Sequence, residues 1–278
     1  MRSTIAITTL FAATITLSGA AHANSQRLPP YLALGDSIAF GFSPLIADTP
    51  ANVAAGDFVG YPEVTASDAD FALTNAACPG ETSGSFINPT QPDNGCHSSP
   101  YYVRELKVQY QGSQLDYARA YLWAHPETEL VTIDIGGNDL LLVQTACVSS
   151  FSPTLCEVAE LPGALVKFGA NLTAIFTGLR SIGYFGQIVA VTQYATNYSD
   201  STQTLALGGL KDETVAIAAL FDVTVADGYA AFQAAATTFG GDVCKAGLII
   251  ALPDGTCNEH PSAAGRVVLA DTVLSVLK

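Results

Sequence analysis

The chain has 278 residues, with 25 acidic side chains against 11 basic ones and a formal net charge of −14. A surface this acidic repels phosphate backbones and anionic headgroups, which argues against nucleic acid as a partner and against a polybasic hold on membranes. Hydrophobic residues make up 49% of the chain, enough for a sizeable core.

Residues 1–23 carry one positive charge at Arg2, then an apolar, threonine-rich run that ends Ala21-His22-Ala23. This pattern reads as an export signal with a small-x-small cleavage site, too short for a membrane span. Cleavage would leave residues 24–278 as a single domain and, by removing Arg2, take the net charge to −15. No later stretch is apolar for long enough to cross a bilayer, so no stable membrane anchor is expected.

Residues 31–34 (YLAL) form a short apolar run suited to a buried parallel strand, and Gly35-Asp36-Ser37 ends it abruptly. Residues 42–66 carry Pro44, Pro50, Gly56, Gly60 and Pro62, which predicts a surface crossing with one short helix. A second strand is predicted over 71–75, followed by a tight loop at Cys78-Pro79-Gly80-Glu81. Residues 83–100 read as irregular. Residues 115–125 have helical spacing and stop at Pro126. The strongest strand pattern, 129–135, runs directly into Gly136-Gly137-Asn138-Asp139, and the stretch 143–160 reads as a lid edge. Helices are expected over 165–179, 204–220 and 262–277, with strands at 187–192 and 221–226. Strand and helix alternate throughout, which predicts one parallel sheet with helices on both faces.

Six cysteines stand at positions 78, 96, 147, 156, 244 and 257, with no Cys-x-x-Cys spacing. In an exported chain an even count reads as disulfides rather than metal ligands. Pairing sequence neighbours joins Cys78 to Cys96, Cys147 to Cys156 and Cys244 to Cys257; proximity favours this choice among the possible connectivities. Asn171-Leu-Thr and Asn197-Tyr-Ser match the glycosylation sequon, but the export signal is of bacterial type and the tripeptide is common by chance.

Acyl transfer from an ester needs a nucleophile, a base and donors aimed at the oxyanion that forms. Ser37 offers a hydroxyl where a strand stops, the place at which open α/β sheets bind ligands; taken alone, it is equally well explained as a helix cap. The Ser37 and Gly80 amides and the Asn138 side chain are candidate oxyanion donors. Among the histidines left after cleavage, His97 lies in a polar loop and His125 ends a helix. His260, in Asn258-Glu259-His260-Pro261, is the best placed base. The sequence contains no Gly-x-Ser-x-Gly elbow, no Gly-x-Gly-x-x-Gly, no phosphate loop and no His-Glu-x-x-His. The chemistry needs no metal or cofactor.

The four blocks Gly35-Asp36-Ser37, Asn75-Ala-Ala-Cys-Pro-Gly80-Glu-Thr, Gly136-Gly137-Asn138-Asp139 and His260-Pro261 resemble, in order and spacing, those of the SGNH hydrolases, also called GDSL lipases and esterases. The chain looks most similar to secreted bacterial members with three disulfides. The resemblance implies a flavodoxin-like α/β/α sandwich with a central five-stranded parallel sheet. It also implies Ser37 as nucleophile, His260 as general base and then acid, and Ser37, Gly80 and Asn138 as the oxyanion hole, with Asp36 and Asp139 structural. The implied substrates are small-molecule or lipid esters, hydrolysed by a secreted monomer. One departure stands out: the orienting aspartate that the family often places three residues before the histidine is Cys257 here, and the position two before it is Asn258. Asp254, Glu259 or a backbone carbonyl is then left to hold the imidazole, and the carbonyl is favoured because Cys257 ties the loop. The same departure motivates an alternative, a lipid- or glycan-binding protein that keeps the fold without turnover. The apolar stretch 247–252 (GLIIAL) reads as either an acyl-binding wall or core.

Overall fold

The computed structural model describes residues 27–47, 54–97 and 105–278. The expected export signal lies outside the described residues. Five strands, β1 (Pro30–Gly35), β2 (Ala72–Asn75), β3 (Leu130–Asp134), β4 (Gln187–Val191) and β5 (Thr224–Ala226), pair in parallel in the order β2-β1-β3-β4-β5. Helices α1 (Ser37–Phe40), α2 (Pro44–Ala47) and α3 (Tyr61–Asp68) follow β1; α4 (Ser83–Ile87) and α5 (Gln114–Ala124) follow β2. Helices α6 (Gly137–Cys147) and α7 (Pro153–Ser181) follow β3, α8 (Ser201–Ala218) follows β4 and α9 (Gly228–Ala236) follows β5. A two-stranded antiparallel hairpin, β6 (Ile249–Ala251) and β7 (Cys257–Pro261), then leads into α10 (Ala263–Leu274).

Two apolar clusters sandwich the sheet, as the alternation of side chains along a strand requires. From β1, Tyr31 and Ala33 face one cluster with Phe40, Tyr61, Phe232 and Leu269, drawn from α1, α3, α9 and α10. Leu32 and Leu34 face the other with Phe86, Leu122, Phe168 and Phe176, drawn from α4, α5 and α7. The expected α/β/α sandwich is therefore the one found, with the strand order turning back between β1 and β3. At such a switch point the crevice beyond the strand ends is open to ligands.

All three disulfides join sequence neighbours: Cys78–Cys96, Cys147–Cys156 and Cys244–Cys257. Among the described residues, no helix is long and apolar enough to cross a membrane.

Several local expectations need correction. Residues 83–87 form α4 because Thr82 caps it: the Thr82 hydroxyl accepts from Ser85 N at 3.1 Å, and Ser85 Oγ accepts from Thr82 N at 2.9 Å. The crossing after β1 carries α2, a 3-10 turn over Ala55–Asp57 and α3, rather than one short helix. The stretch 143–160 does edge the cleft, through Gln144, Thr154 and Val158 among others, but as the junction of α6 and α7 rather than a free-standing segment; Cys147–Cys156 staples it, and α7 spans 29 residues through Pro162. Leu248, Ile249 and Ile250 are buried, so GLIIAL contributes core, and the hairpin puts His260 on a strand rather than in a loop.

The ends of β1 and β3 lie side by side, with Gly35 opposite Asp134 and Asp36 N donating to Asp134 O at 3.1 Å. Gly35 has φ +130°, and a Cβ there would lie 2.1 Å from Asp134 O, so only glycine fits. The approach leaves two carboxyl groups, Asp36 and Asp134, both about 1% exposed. The Gln193 amide nitrogen donates to Asp134 Oδ1 and, at 3.3 Å, to Asp36 Oδ2. Burial, more than any neighbouring charge, raises the Asp36 pKa to about 7 and that of Asp134 well above the usual carboxylate range.

Two stability predictions arise here. Gly35→Ala should cost about 3 kcal/mol or more, whereas Gly163→Ala, on α7 with open space around its Cβ, should stabilise by about 0.5–1 kcal/mol; urea unfolding of both variants checks the contrast. The folded pair also holds a proton that the unfolded chain releases above about pH 4, so its contribution to stability shrinks as pH rises from about 4 through about 7. Asp134→Asn avoids that proton uptake while keeping an acceptor for Gln193. Its thermal midpoint should exceed that of the unmodified protein by a few degrees at about pH 8 and match it near pH 4; a lower midpoint at pH 8 contradicts the assignment.

Candidate active site

Ser37 is the first residue of α1, directly after the β1 strand end. Asp36 is the helix cap, its Oδ1 accepting from Ile38 N at 2.9 Å. The capping role that the sequence left open for Ser37 is thus taken by Asp36, and the Ser37 hydroxyl lines a cleft of about 1200 Å³. Gly80, Asn138 and His260 line the same cleft.

The Gly80 loop is held from three sides. Gly80 itself has φ +84°, and a Cβ there would lie 2.4 Å from Asn94 O. Asn94 N donates to Gly80 O at 2.8 Å, and the Cys78–Cys96 bridge closes the loop. Gln114, fully buried at the start of α5, binds both backbone groups of Gly35: Gly35 N donates to its Oε1 at 2.6 Å, and its Nε2 donates to Gly35 O at 3.0 Å. The same Nε2 donates to Glu81 Oε2 at 3.0 Å, so one side chain fixes the Ser37 turn against the Gly80 loop. Nothing in the local sequence marks Gln114, because its partners are 79 and 33 residues away.

Asn138 lies near the N-terminus of α6, whose preceding Gly136 has φ +118°. Its amide is oriented by two neighbours: Asn94 Nδ2 donates to Asn138 Oδ1 at 3.1 Å, and Asn138 Nδ2 donates to Asp36 Oδ2 at 3.3 Å. With its oxygen occupied by Asn94, Asn138 presents its NH₂ end toward the Ser37 turn. Asp139 accepts from Ser83 N at 2.8 Å and from Ser83 Oγ at 2.5 Å, tying the α6 turn to α4. Asn171, the first sequon asparagine, donates to the same Ser83 hydroxyl at 2.9 Å from α7.

His260 sits on β7, 7% exposed, with its ring 4.8 Å from that of Phe42. Tyr194 OH donates to Glu259 O at 2.7 Å and anchors the strand. The His260 Nδ1 lies 2.6 Å from Asn258 Oδ1. Asn258 Nδ2 donates to Glu259 Oε2 at 2.8 Å, which turns the amide oxygen toward the ring. An acceptor at Nδ1 places the proton there and leaves the lone pair on Nε2. Burial lowers the His260 pKa below its ordinary value, against a smaller upward pull from Glu259, whose Oε1 is 3.8 Å from Nδ1. The imidazole is therefore neutral at neutral pH.

The expectation for the imidazole partner is corrected on two counts. Asp254 sits fully exposed in the β6–β7 turn, where its Oδ1 accepts from Thr256 N and Oγ1 at 2.9 and 2.6 Å; those short-range donors use it, and it does not orient the ring. Nor is the favoured backbone carbonyl the partner: the ring nitrogen meets the side-chain amide oxygen of Asn258. Two-residue spacing along an extended strand returns side chain 258 to the same side as 260, a signal that the sequence did contain. The other histidines go elsewhere: His97 Nε2 pairs with Glu81 Oε1 at 3.3 Å, and His125 ends α5 against the Tyr121 ring.

Comparison with known proteins bears on the fold and the family. No curated protein matches the chain. Among solved structures, a phospholipase A1 from Streptomyces albidoflavus NA297 is similar at TM-score 0.58 and 19% identity, covering 91% of this chain and 100% of its own. An extracellular lipase from Streptomyces rimosus matches at TM-score 0.58 and 18% identity, over 90% of this chain and 100% of its own. An acetyl-xylooligosaccharide esterase variant from Geobacillus matches at TM-score 0.53 and 17% identity, over 90% and 94%. At these identities the likeness is one of fold. The model of the GDSL-like lipase/acylhydrolase family, however, matches residues 33–267, from inside β1 to inside α10 and across all four turns, and the chain belongs to that family.

Proposed function

We propose that the protein is a secreted, monomeric carboxylic-ester hydrolase that works through an acyl-serine at Ser37. One observation carries the reading: Ser37 shares its cleft with a neutral, buried His260 whose Nδ1 is already bound, so that Nε2 is the ring atom able to take a proton. The three disulfides, together with a solved neighbour described as extracellular, are consistent with export.

In the proposed reaction, Ser37 Oγ attacks the ester carbonyl carbon while its proton passes to His260 Nε2. The carbonyl π pair moves onto oxygen, where the amides of Ser37 and Gly80 and the Asn138 NH₂ receive it. The tetrahedral carbon then expels the alcohol oxygen, which takes the proton from Nε2. Water next attacks the acyl-serine and gives a proton to Nε2; collapse releases the carboxylic acid and returns the proton to Ser37 Oγ. The imidazolium that forms transiently is stabilised by Asn258 Oδ1 and Glu259. A neutral acceptor at Nδ1 keeps the tautomer but stabilises that cation less than a carboxylate does.

Ser37→Ala should lower kcat/KM for a series of chromogenic acyl esters by about 10⁴-fold or more; unchanged hydrolysis refutes the reading. The pH profile tests the base. Because the imidazole must be neutral, kcat/KM should fall as pH falls through a value below about 6.5. Glu259→Gln removes the upward pull and should move that acid limb to lower pH. Asn258→Asp adds a charge at Nδ1 and should move it higher while raising kcat on the order of tenfold. A limb that stays fixed in both variants removes His260 from the role of base.

A further inference from the structure

The cleft has a consistent electrostatic character, of which the catalytic reading uses only Glu259. Its lining includes Asp93, Glu157, Asp200 and Glu259 and, among the described residues, no lysine or arginine. These carboxylates come from four different walls: the loop after Gly80, helix α7, the cap of α8 and strand β7. Hydrogen-bond donors fix several of them. Asp93 accepts from Gly95 N and His97 N at 2.9 and 2.8 Å, Asp200 from Thr202 N and Gln203 N at 2.8 and 3.2 Å, and Glu259 from Asn258 Nδ2. No cationic side chain among the described residues lies within ion-pair distance of Glu157 or Asp200.

A second, independent feature is an uncovered apolar groove on the same cleft. Leu141 of α6, Val158 of α7 and Leu205 of α8 line it while remaining 39%, 41% and 53% exposed. The α6–α7 junction supplies Thr154 to the lining and carries two further apolar side chains, Phe151 and Leu155, that are fully and 71% exposed. The segment 148–156 contains no charged residue. Apolar side chains held open on three facing helices lose nothing by receiving an alkyl chain, which covers them. At about 1200 Å³ the cleft exceeds the usual range of about 300–1,000 Å³ for small-ligand pockets and has room for such a chain.

We propose that the cleft takes esters of aliphatic acids whose alcohol portion is uncharged or cationic, and that it discriminates against anionic esters. The inference rests on the ester-hydrolase reading for the identity of the ligand, while the discrimination itself follows from the lining. An anionic alcohol group held in the cleft lies in the field of these carboxylates, and no arginine or lysine described in the lining offsets it. Fixed like charges of this kind act as a filter against the wrong ligand more than they strengthen binding of the right one. The groove accepts the acyl chain regardless of alcohol charge, so the difference between matched esters reports the carboxylates alone.

The test uses the full chain carrying Ser37→Ala, so that binding is measured without turnover, with three octanoyl esters: of ethylene glycol (neutral), of choline (cationic) and of glycolic acid (anionic). Calorimetry in about 20 mM salt should give a Kd for the anionic ester about tenfold weaker than for the neutral one, closing to within about twofold in about 0.5 M salt. Adding Glu157→Lys should narrow the low-salt gap by about threefold or more. Glu127→Lys, which changes the net charge equally but lies just before β3, at the end of the parallel strands opposite the one that carries the cleft, should leave the gap as it is. Equal binding of the neutral and anionic esters at low salt, equal effects of the two lysine variants, or no binding of any ester overturns the inference. If the neutral ester binds as expected but the chain with Ser37 intact does not hydrolyse it, the hydrolase reading fails and the charge filter stands.

Discussion

The ends of β1 and β3 are brought together by an approach that only a residue without a side chain allows. Gly35 faces Asp134 with space for a hydrogen and nothing larger, and Asp36 N donates to Asp134 O across the gap. Because both strands stop there, both chains leave the sheet at the same point, one into Ser37 and α1, the other into Gly136, Asn138 and α6. Two turns separated by a hundred residues thereby become neighbours, and Asn138 reaches Asp36 directly. The close contact leaves two carboxyl groups in the interior. Gln193 bridges them, and burial raises the pKa of both, so the site is assembled at a cost in stability that grows with pH. Such a cost is tolerable only where the rest of the fold is secure, as it is here with two apolar clusters clamping the sheet.

The remaining pieces are fixed by contacts of a different kind. The Gly80 loop has little apolar anchorage in its glycines and prolines, and it depends on the Cys78–Cys96 bridge, on Asn94 and on Gln114, which carries the position of Gly35 over to Glu81. The histidine comes from a hairpin outside the main sheet, closed by Cys244–Cys257 and pinned by Tyr194. The first three candidates are cross-linked through Asn94, Gln114 and Asp36, while the histidine rests on its own hairpin, and the cleft is where the two supports meet.

How much of this was legible in the sequence follows from the range of the interactions involved. Strands β1, β3 and β4 announced themselves as apolar runs, the first two ending at glycine, because a parallel strand covered on both faces has no polar side to hide the pattern. The disulfides were legible because their loops are short. Helix α4 was not, since its stability comes from a threonine–serine cap inside a segment whose composition favours irregular backbone. The hairpin under His260 was hidden for a similar reason: β6 has only three residues and looked like core or cleft wall, and β7 contains a proline. The imidazole partner was sought among the nearby carboxylates and the backbone carbonyls, with a backbone carbonyl favoured. Asn258 supplies the same geometry without the charge, and a reading by residue type alone passes over it. Gln114, Gln193 and Asn94 have partners dozens of residues away, so no local pattern points to them.

The central claim is that this convergence makes one hydroxyl more reactive than every other serine in the chain. A serine-directed alkyl fluorophosphonate, followed by digestion and mass spectrometry, measures that directly. The account predicts a single adduct on Ser37, formed far more slowly in a chain carrying His260→Ala. An unlabelled protein, or an adduct on a different serine, would contradict it and leave a binding protein as the better description.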